Sequence, residues 1–324
     1  MQVAITPPEW ATHLVSDLGD MDRNPRRLAP GVDRELRLEL PDDVYFEYAF
    51  LDESGRMYAD PGNALRADNP WYPQVSAVLG PDYLPDPLAD PPQPSAPAVV
   101  DRLRVQSTTL HQQRRVIVAT PAGYEKQALP LVLVQDGIAF YRLARLSDVL
   151  AALLAAGEVR PARVAFVEPV ERSREYAYHG GYLRFVTNEL LAELDRRYPM
   201  EDELVAAGAS LGGLFSAFLA LSRPDLVRTV VTFSGAFVGH PDAPDFYAGR
   251  RSFVAESLER GVPEGLRWYA ECGTLEWLTG ANRRVIAALE AAGAPYAYTE
   301  RNAGHNWTNW RNGLAAALRF ALMP

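Results

Sequence analysis

Residues 204–218 read LVAAGASLGGLFSAF, in which a short apolar run meets a glycine, a serine and two further glycines before a second apolar stretch. Gly208-Ala209-Ser210-Leu211-Gly212 matches the pattern G-x-S-x-G, which places a serine on a sharp turn between a strand and a helix. The preceding Leu204–Ala207 is typical of a buried strand, and the residues after Ser210 are apolar at helical spacing. The stretch therefore predicts an α/β fold with a serine at the carboxyl end of a strand.

The chain from residue 99 onward alternates short apolar runs with helical patterns. Strand-like runs recur along it, at 115–120, 131–135, 163–167, 229–233, 266–270 and 296–299. Apolar residues at helical spacing occur between and after them, at 146–154, 183–194, 283–292 and 312–322. Because strands that alternate with helices form mostly parallel sheets, we expect such a sheet with helices on both faces.

The N-terminal part has a different pattern. Leu36, Leu38 and Leu40 alternate with charged residues, and the aromatic-rich run 44–50 follows a turn signal, which predicts a domain of β-hairpins. The proline-dense stretch that comes next cannot form regular structure and favours an extended linker. The sequence predicts three parts: a small all-β domain at 1–80, a proline-rich linker at 81–98 and an α/β domain at 99–324.

The composition is that of an acidic globular chain. Its 324 residues carry a net charge of −9, which argues against nucleic acid or an anionic membrane surface as a partner. Cys272 is the only cysteine, so no internal disulfide is possible, and the first residues show no pattern of a secretory leader. No apolar run is long enough to span a bilayer, and no metal-binding or phosphate-binding motif is present. We expect a cytoplasmic protein that needs no metal or other cofactor.

A nucleophilic serine needs a base and an acid that orients the base, in the order Ser, acid, His along sheets of this kind. Only His240 and His305 follow Ser210. His305 comes after the last predicted strand and before the last helix, which is the expected place of the base, whereas His240 lies in a loop with no such context. For the acid we prefer Glu276, in the loop beyond the penultimate strand, and Glu271 at the end of that strand is the alternative.

The oxyanion formed in ester attack needs backbone N–H donors. The N–H of Leu211 is the first candidate, because it follows the serine at the start of a helix. The second should come from the loop after an early strand, where Gly137 or Ile138 follows the run 131–135. A turn at this position with no catalytic role would have the same sequence.

Several segments resemble one known family. LVLVQDG (131–137), VEPVERSREY (167–176), AGASLGGLFSAFLALSRPDLV (207–227), ECGTLEW (271–277) and AGHNWTNWRNGL (303–314) resemble motifs of the esterase branch of the α/β-hydrolases, and among these the enterochelin (enterobactin) esterases most. DLGDMDRNPRRL (17–28) and YFEYAFLDESGRMYADPGN (45–63) resemble the immunoglobulin-like, early-set sandwich of the same esterases. Ala303 and Asn306 depart from the family's histidine segment without removing a triad group.

The resemblance implies an α/β-hydrolase domain behind an Ig-like sandwich, with Ser210, Glu276 and His305 as a catalytic triad. It favours a small-molecule ester with an aromatic or catecholate group as the substrate. Candidate substrate-binding residues flank the triad segments: Arg174, Tyr176, Trp277, Trp307 and Trp310. The resemblance also implies that the N-terminal domain helps to form the pocket, with Trp71 and Tyr72 as its aromatic wall. A feruloyl-type or sugar-ester esterase, an acyltransferase of the same fold and a non-catalytic glycan-binding protein are the alternatives.

Overall fold

A computed structural model describes residues 1–29, 32–242 and 251–323. The chain divides into two compact units. The first contains Met1–Asp86 together with Cys272–Thr279 and Glu300–Asn312, and the second contains Pro87–Glu271, Gly280–Thr299 and Gly313–Pro324. The segments that carry Glu276 and His305 thus belong to the same unit as the N-terminal strands. The boundaries at 80/81 and 98/99 stay predictions.

The N-terminal part of the first unit is built from short strands. Their bounds are β1 Gln2–Ile5, β2 His13–Ser16, β3 Met21–Arg27, β4 Leu36–Glu39, β5 Tyr45–Leu51, β6 Met57–Tyr58 and β7 Ser76–Leu79. β1 and β4 form a two-stranded antiparallel sheet. The other five form a second sheet in the order β3-β2-β5-β6, with β7 paired to β5.

One expectation for this region is wrong. The two strands on either side of the turn at 41–43 do not form a hairpin, because β4 pairs with β1 whereas β5 pairs with β2, β6 and β7. The turn instead carries the chain from one sheet to the other. Apolar side chains of both sheets, Ile5 and Leu38 from one and Leu14 and Phe50 from the other, share a buried core. An immunoglobulin-like topology stays a prediction.

The second unit is organised around one eight-stranded sheet. Its strands are β8 Val99–Ser107, β9 Gln112–Thr120, β10 Leu129–Gln135, β11 Arg163–Val167, β12 Met200–Ala209, β13 Val227–Phe233, β14 Arg267–Gly273 and β15 Tyr296–Arg301. They lie in the order β15-β14-β13-β12-β10-β11-β9-β8. The strands from β10 to β14 pair in parallel, whereas β8 and β9 are antiparallel, so the sheet is mixed. The predicted strands are confirmed, and β8 is an addition that sequence reasoning missed.

The helices alternate with these strands. Their bounds are α1 Gly137–Arg142, α2 Leu146–Ala155, α3 Arg172–Tyr176, α4 Gly180–Arg184, α5 Leu191–Arg197, α6 Leu211–Ser222, α7 Phe253–Arg260, α8 Thr279–Ala291 and α9 Trp307–Ala321, with a π-helical turn at Phe185–Leu190 between α4 and α5. α6 packs against β12 and β13, which places its first residue at the turn that follows β12. Among the described residues, none of the helices has both the length and the apolarity needed to cross a membrane.

Candidate active site

Ser210 occupies a strained turn between β12 and α6. Its backbone has φ +54° and ψ −121°, a conformation that side chains rarely adopt. The turn is held on both sides, because the Ser210 N–H donates to Phe233 O at 2.8 Å and the Ala236 N–H donates to Ser210 O at 3.0 Å. The surrounding fold therefore imposes a conformation for which glycine would be the less costly residue.

The first glycine of the turn, Gly208, is required by close packing. A Cβ atom on Gly208 would lie 2.4 Å from the backbone carbon of Gly212, so the strand and the helix approach more closely than any other residue allows. This close approach is a physical reason for glycine at the first position of G-x-S-x-G. The tight turn also leaves the Leu211 N–H as the first amide of α6, which by its position has no partner within the helix.

The second proposed oxyanion donor lies at the start of α1. Asp136 has φ +56° and precedes Gly137, whose Cβ would lie 2.4 Å from the backbone of Phe166. The Ile138 N–H donates to the Glu168 carboxylate at 3.0 Å. Of the two donors left open by the sequence, Ile138 is thus engaged by a side chain, and Gly137 is the better candidate.

A buried network holds the Asp136 turn. Arg172 makes two hydrogen bonds of 2.7 Å to the Asp136 carboxylate and a longer one of 3.4 Å to Ala209 O, next to Ser210. The Tyr176 hydroxyl accepts the Asp136 N–H at 2.8 Å. Glu175 forms a fully buried ion pair with Arg114 at 2.6 Å. The motif R-x-x-E-Y therefore ties the loop before Gly137 to the turn that carries Ser210.

His305 and Glu276 form a hydrogen-bonded pair in the first unit. His305 Nδ1 lies 2.6 Å from Glu276 Oε2, and the Glu276 side chain is completely buried. The other carboxylate oxygen of Glu276 accepts the Gly273 N–H at 2.7 Å, which fixes the orientation of the acid. A carboxylate at Nδ1 holds the proton on that nitrogen, so Nε2 is left as the acceptor, as in a base oriented by an acid.

The two alternatives have other partners. The Tyr269 hydroxyl donates to Glu271 Oε2 at 3.0 Å, and Gly313 packs directly against that carboxylate. His240 Nδ1 accepts the Asp242 N–H at 3.2 Å within its own loop. The hydrogen bond to His305 Nδ1 described above comes from Glu276, the preferred candidate acid.

Three tryptophans surround His305 in the first unit. The rings of Trp71 and Trp310 have centroids 6.4 and 5.1 Å from that of His305, and Trp307 packs against both tryptophans. Trp307 and Trp310 are fully buried, whereas Trp71 is 39 % exposed. The cluster thus presents one aromatic surface to solvent beside the candidate base, and Trp71 contributes it.

Two buried carboxyl groups lie behind the histidine loop. Asp17 Oδ2 accepts the Glu47 N–H at 2.7 Å and an Asn306 amide hydrogen at 3.4 Å, and Gly304 packs directly against this side chain. Burial, reinforced by the charge of Glu47, raises the pKa of Asp17 well above its usual range. Burial also raises the pKa of Glu47 to about 7, against the opposing effect of hydrogen bonds from Asn69 and Tyr45.

Comparison with known proteins places the chain in a family. The family model described as "Putative esterase" matches residues 107–321, which span the α/β sheet from β9 onward, the Ser210 turn and the His305 loop. The chain belongs to this esterase family. An iron(III) enterobactin esterase from Dickeya dadantii is 28% identical over 291 residues, which cover 82% of this chain and 65% of the relative. The chain thus spans slightly less than two thirds of that relative's length.

Solved structures show the same fold. A ferric enterobactin esterase from Salmonella typhimurium matches with a TM-score of 0.77 at 20% identity, over 99% of this chain and 92% of the other. The enterobactin esterase of Shigella flexneri, crystallised in the presence of enterobactin, matches with a TM-score of 0.75 at 23% identity, over 98% and 91%. This family member therefore has the fold of those enzymes over nearly its whole length.

The other substrate-binding candidates of this esterase-family chain have varied surroundings. Tyr176 is fully buried and stacks on Phe215. Its hydroxyl is hydrogen-bonded to the Asp136 turn, and its ring presents no exposed surface. Trp277 is 40 % exposed, and the guanidinium of Arg23 lies 4.1 Å above its ring. Arg174 is exposed and pairs with Glu171. Their contacts with a substrate stay predictions.

Sequence reasoning missed the residues that position the site. Asp17 lies nearly 300 positions from Asn306, and no local pattern joins them. Arg172 lies in a segment that resembles a family motif, but no local pattern links it to its partner Asp136.

Proposed function

We propose that this protein hydrolyses carboxylic esters, with Ser210 as the nucleophile, His305 as the base and Glu276 as the acid that orients it. The observation that carries the proposal is the strained backbone of Ser210. A non-glycine residue in such a conformation destabilises the fold by on the order of 1–3 kcal/mol. Because glycine would avoid this strain, we infer that the serine side chain has a function at this position. The hydrogen bond of 2.6 Å between His305 and Glu276 supports the same assignment.

The sheet topology supports a triad assembled at one edge. Ala209, Phe233 and Glu271 are paired in register on three parallel strands, so the chain leaves β12 and β14 at the same edge of the sheet. Glu276 follows the end of β14 by three residues. Active sites of open α/β sheets lie at the carboxyl edge of the strands, which is where Ser210 is found.

In the mechanism that we propose, the Ser210 hydroxyl attacks the ester carbonyl while His305 Nε2 accepts its proton. The Leu211 and Gly137 N–H groups stabilise the oxyanion of the tetrahedral intermediate. The imidazolium, stabilised by the Glu276 carboxylate, then gives its proton to the leaving alcohol. A water molecule, activated by His305 in the same way, releases the acyl group from Ser210 and restores the enzyme.

For the substrate we propose an ester that carries an aromatic acyl group, of the catecholate kind. Support comes from the relatives, which are named iron(III) enterobactin esterases, and from the exposed face of Trp71 beside His305. Aromatic pairs of this sort contribute about 0.5–1.5 kcal/mol beyond the area that they bury. Arg172 and Arg311 are paired with Asp136 and Asp68, which limits the positive charge that these two arginines offer to an anionic substrate.

The experiment compares purified variants on a panel of catecholate, hydroxycinnamoyl, aryl and acetyl-sugar esters. Loss of a triad nucleophile or base lowers kcat by up to about 10⁶-fold, so Ser210→Ala and His305→Ala should be inactive while their folding is unchanged. His240→Ala, measured in parallel, should keep its activity. An active Ser210→Ala protein, or an inactive and folded His240→Ala protein, would contradict the assignment. Product analysis with and without an added alcohol distinguishes hydrolysis from acyl transfer.

A further inference from the structure

A cavity lies in the α/β unit, between α2, the ends of β9 and β11, and the proline-rich segment 92–98. Its volume is about 490 Å³, within the range of about 300–1,000 Å³ that small-molecule sites occupy. Ala119 and Val164 form part of its floor, and Ser147, Leu150, Ala151 and Leu154 lie on one helical face of α2 that is turned towards it. Ser147 and Ala151 are the small side chains of this face, and they leave space between the two leucines.

The cavity is far from the Ser210 turn. Val164 and Val205 are both in register with Val132 on parallel strands, so the three residues lie at the same level of the sheet. Ser210 follows Val205 by five residues, which at about 3.3 Å per residue places it about 16 Å further along the strand direction. The cavity therefore opens near the amino edge of the parallel strands, whereas the candidate nucleophile lies at the carboxyl edge.

The lining determines what kind of molecule fits. Among the described residues that line the cavity there is no Asp, Glu, Lys, Arg or His, so a charged ligand would lose its hydration without gaining a partner. Proline, alanine and leucine side chains provide most of the surface. A catecholate anion does not suit these walls, which separates this cavity from the substrate site proposed above.

One buried polar atom points to a ligand with a hydrogen-bond acceptor. Ser147 is only 9 % exposed, and its Oγ has no hydrogen-bond partner in the part of the chain that the structure describes. Leaving such a group unpaired costs about 1–3 kcal/mol, which a carbonyl oxygen in the cavity would offset. We propose that this cavity binds an uncharged, mainly apolar small molecule that accepts a hydrogen bond from Ser147.

The test uses the full chain and prodan, an uncharged naphthyl ketone whose emission shifts to shorter wavelength in an apolar site. We expect saturable binding to one site. Ser147→Ala should weaken it by up to about tenfold, which corresponds to one hydrogen bond of about 0.5–1.5 kcal/mol. Ala151→Trp should fill the cavity and abolish binding. Ala156→Trp, an exposed position just beyond α2 that does not line the cavity, is the matched control and should bind as wild type does.

Two further measurements separate this cavity from the proposed active site. A phosphonate bound to Ser210 should leave prodan binding unchanged, and both tryptophan variants should hydrolyse esters at the wild-type rate. Thermal unfolding shows whether each variant is folded, and Ser147→Ala remains informative if Ala151→Trp is not. The proposal is overturned if prodan does not saturate, if Ser147→Ala and a folded Ala151→Trp both bind it as tightly as wild type, or if the phosphonate displaces it.

Discussion

We expect the buried Glu47 carboxyl to make the stability of this protein depend on pH. Its pKa is raised by burial from an ordinary value of 4.5 to about 7, so the native state holds the proton more tightly than the unfolded chain does. The unfolded chain loses this proton first, and the stability falls as the pH rises from about 4.5 to 7. At about 1.4 kcal/mol for each pKa unit, a difference of about 2.5 units corresponds to about 3 kcal/mol.

The perturbation that tests this is Glu47→Gln, which removes the titration and keeps the size of the side chain. Urea unfolding at about pH 5 and about pH 8 gives the change in unfolding free energy for the wild type and for the variant. We expect the drop between the two pH values to be smaller in Glu47→Gln by about 2.5 kcal/mol, because the unfolded carboxyl is already mostly deprotonated at pH 5. Glu39→Gln, an exposed carboxyl on β4, should retain the full wild-type drop. If the wild type and Glu47→Gln lose stability in parallel, the buried Glu47 does not titrate in this range.

Three further predictions concern the turn and the site. Gly208→Ala should destabilise the fold by more than about 1 kcal/mol and abolish ester hydrolysis, because the new Cβ meets the backbone of Gly212. Gly280→Ala, whose Cβ would meet nothing within 4 Å, should be neutral or stabilising, and thermal unfolding compares the two variants. Trp71→Ala should raise KM for an aromatic ester by about threefold to tenfold and leave KM for an acetyl ester unchanged, and an equal effect on both would refute its role as an aromatic contact. Arg172→Lys should lower kcat more than it raises KM, because lysine cannot make the two hydrogen bonds by which Arg172 holds the Asp136 carboxylate next to Gly137. A change confined to KM would instead indicate that Arg172 takes part in substrate binding.

The parts of the fold that follow a local pattern could be predicted. β11 has the bounds expected from the sequence. The turn at Ser210 follows the G-x-S-x-G pattern, and Gly208 and Gly212 approach each other closely there. β8 was missed because it directly follows the proline-rich stretch, where breaking signals dominate. The partner of β4 was also beyond sequence reasoning, since a turn does not reveal whether the next strand pairs with the previous one or joins another sheet.

The candidate site was predictable to a similar extent. The hydrogen bond between His305 and Glu276 follows from the order of elements, because both residues come directly after neighbouring strands of the sheet. The choice between Gly137 and Ile138 depends on the position of the Glu168 side chain, which only the tertiary structure gives. The same holds for Asp17, whose burial against Gly304 is a long-range contact without a local signature.

The most direct test of the central claim is covalent labelling of the full chain with an aryl phosphonate, followed by mass spectrometry of the intact protein and of its peptides. Such reagents react with a serine hydroxyl that a histidine activates. We expect a single adduct, located on Ser210, that is absent in Ser210→Ala and forms more slowly by orders of magnitude in folded His305→Ala and Glu276→Ala proteins. An adduct on another residue, or equally fast labelling of Ser210 in the absence of His305, would contradict the claim.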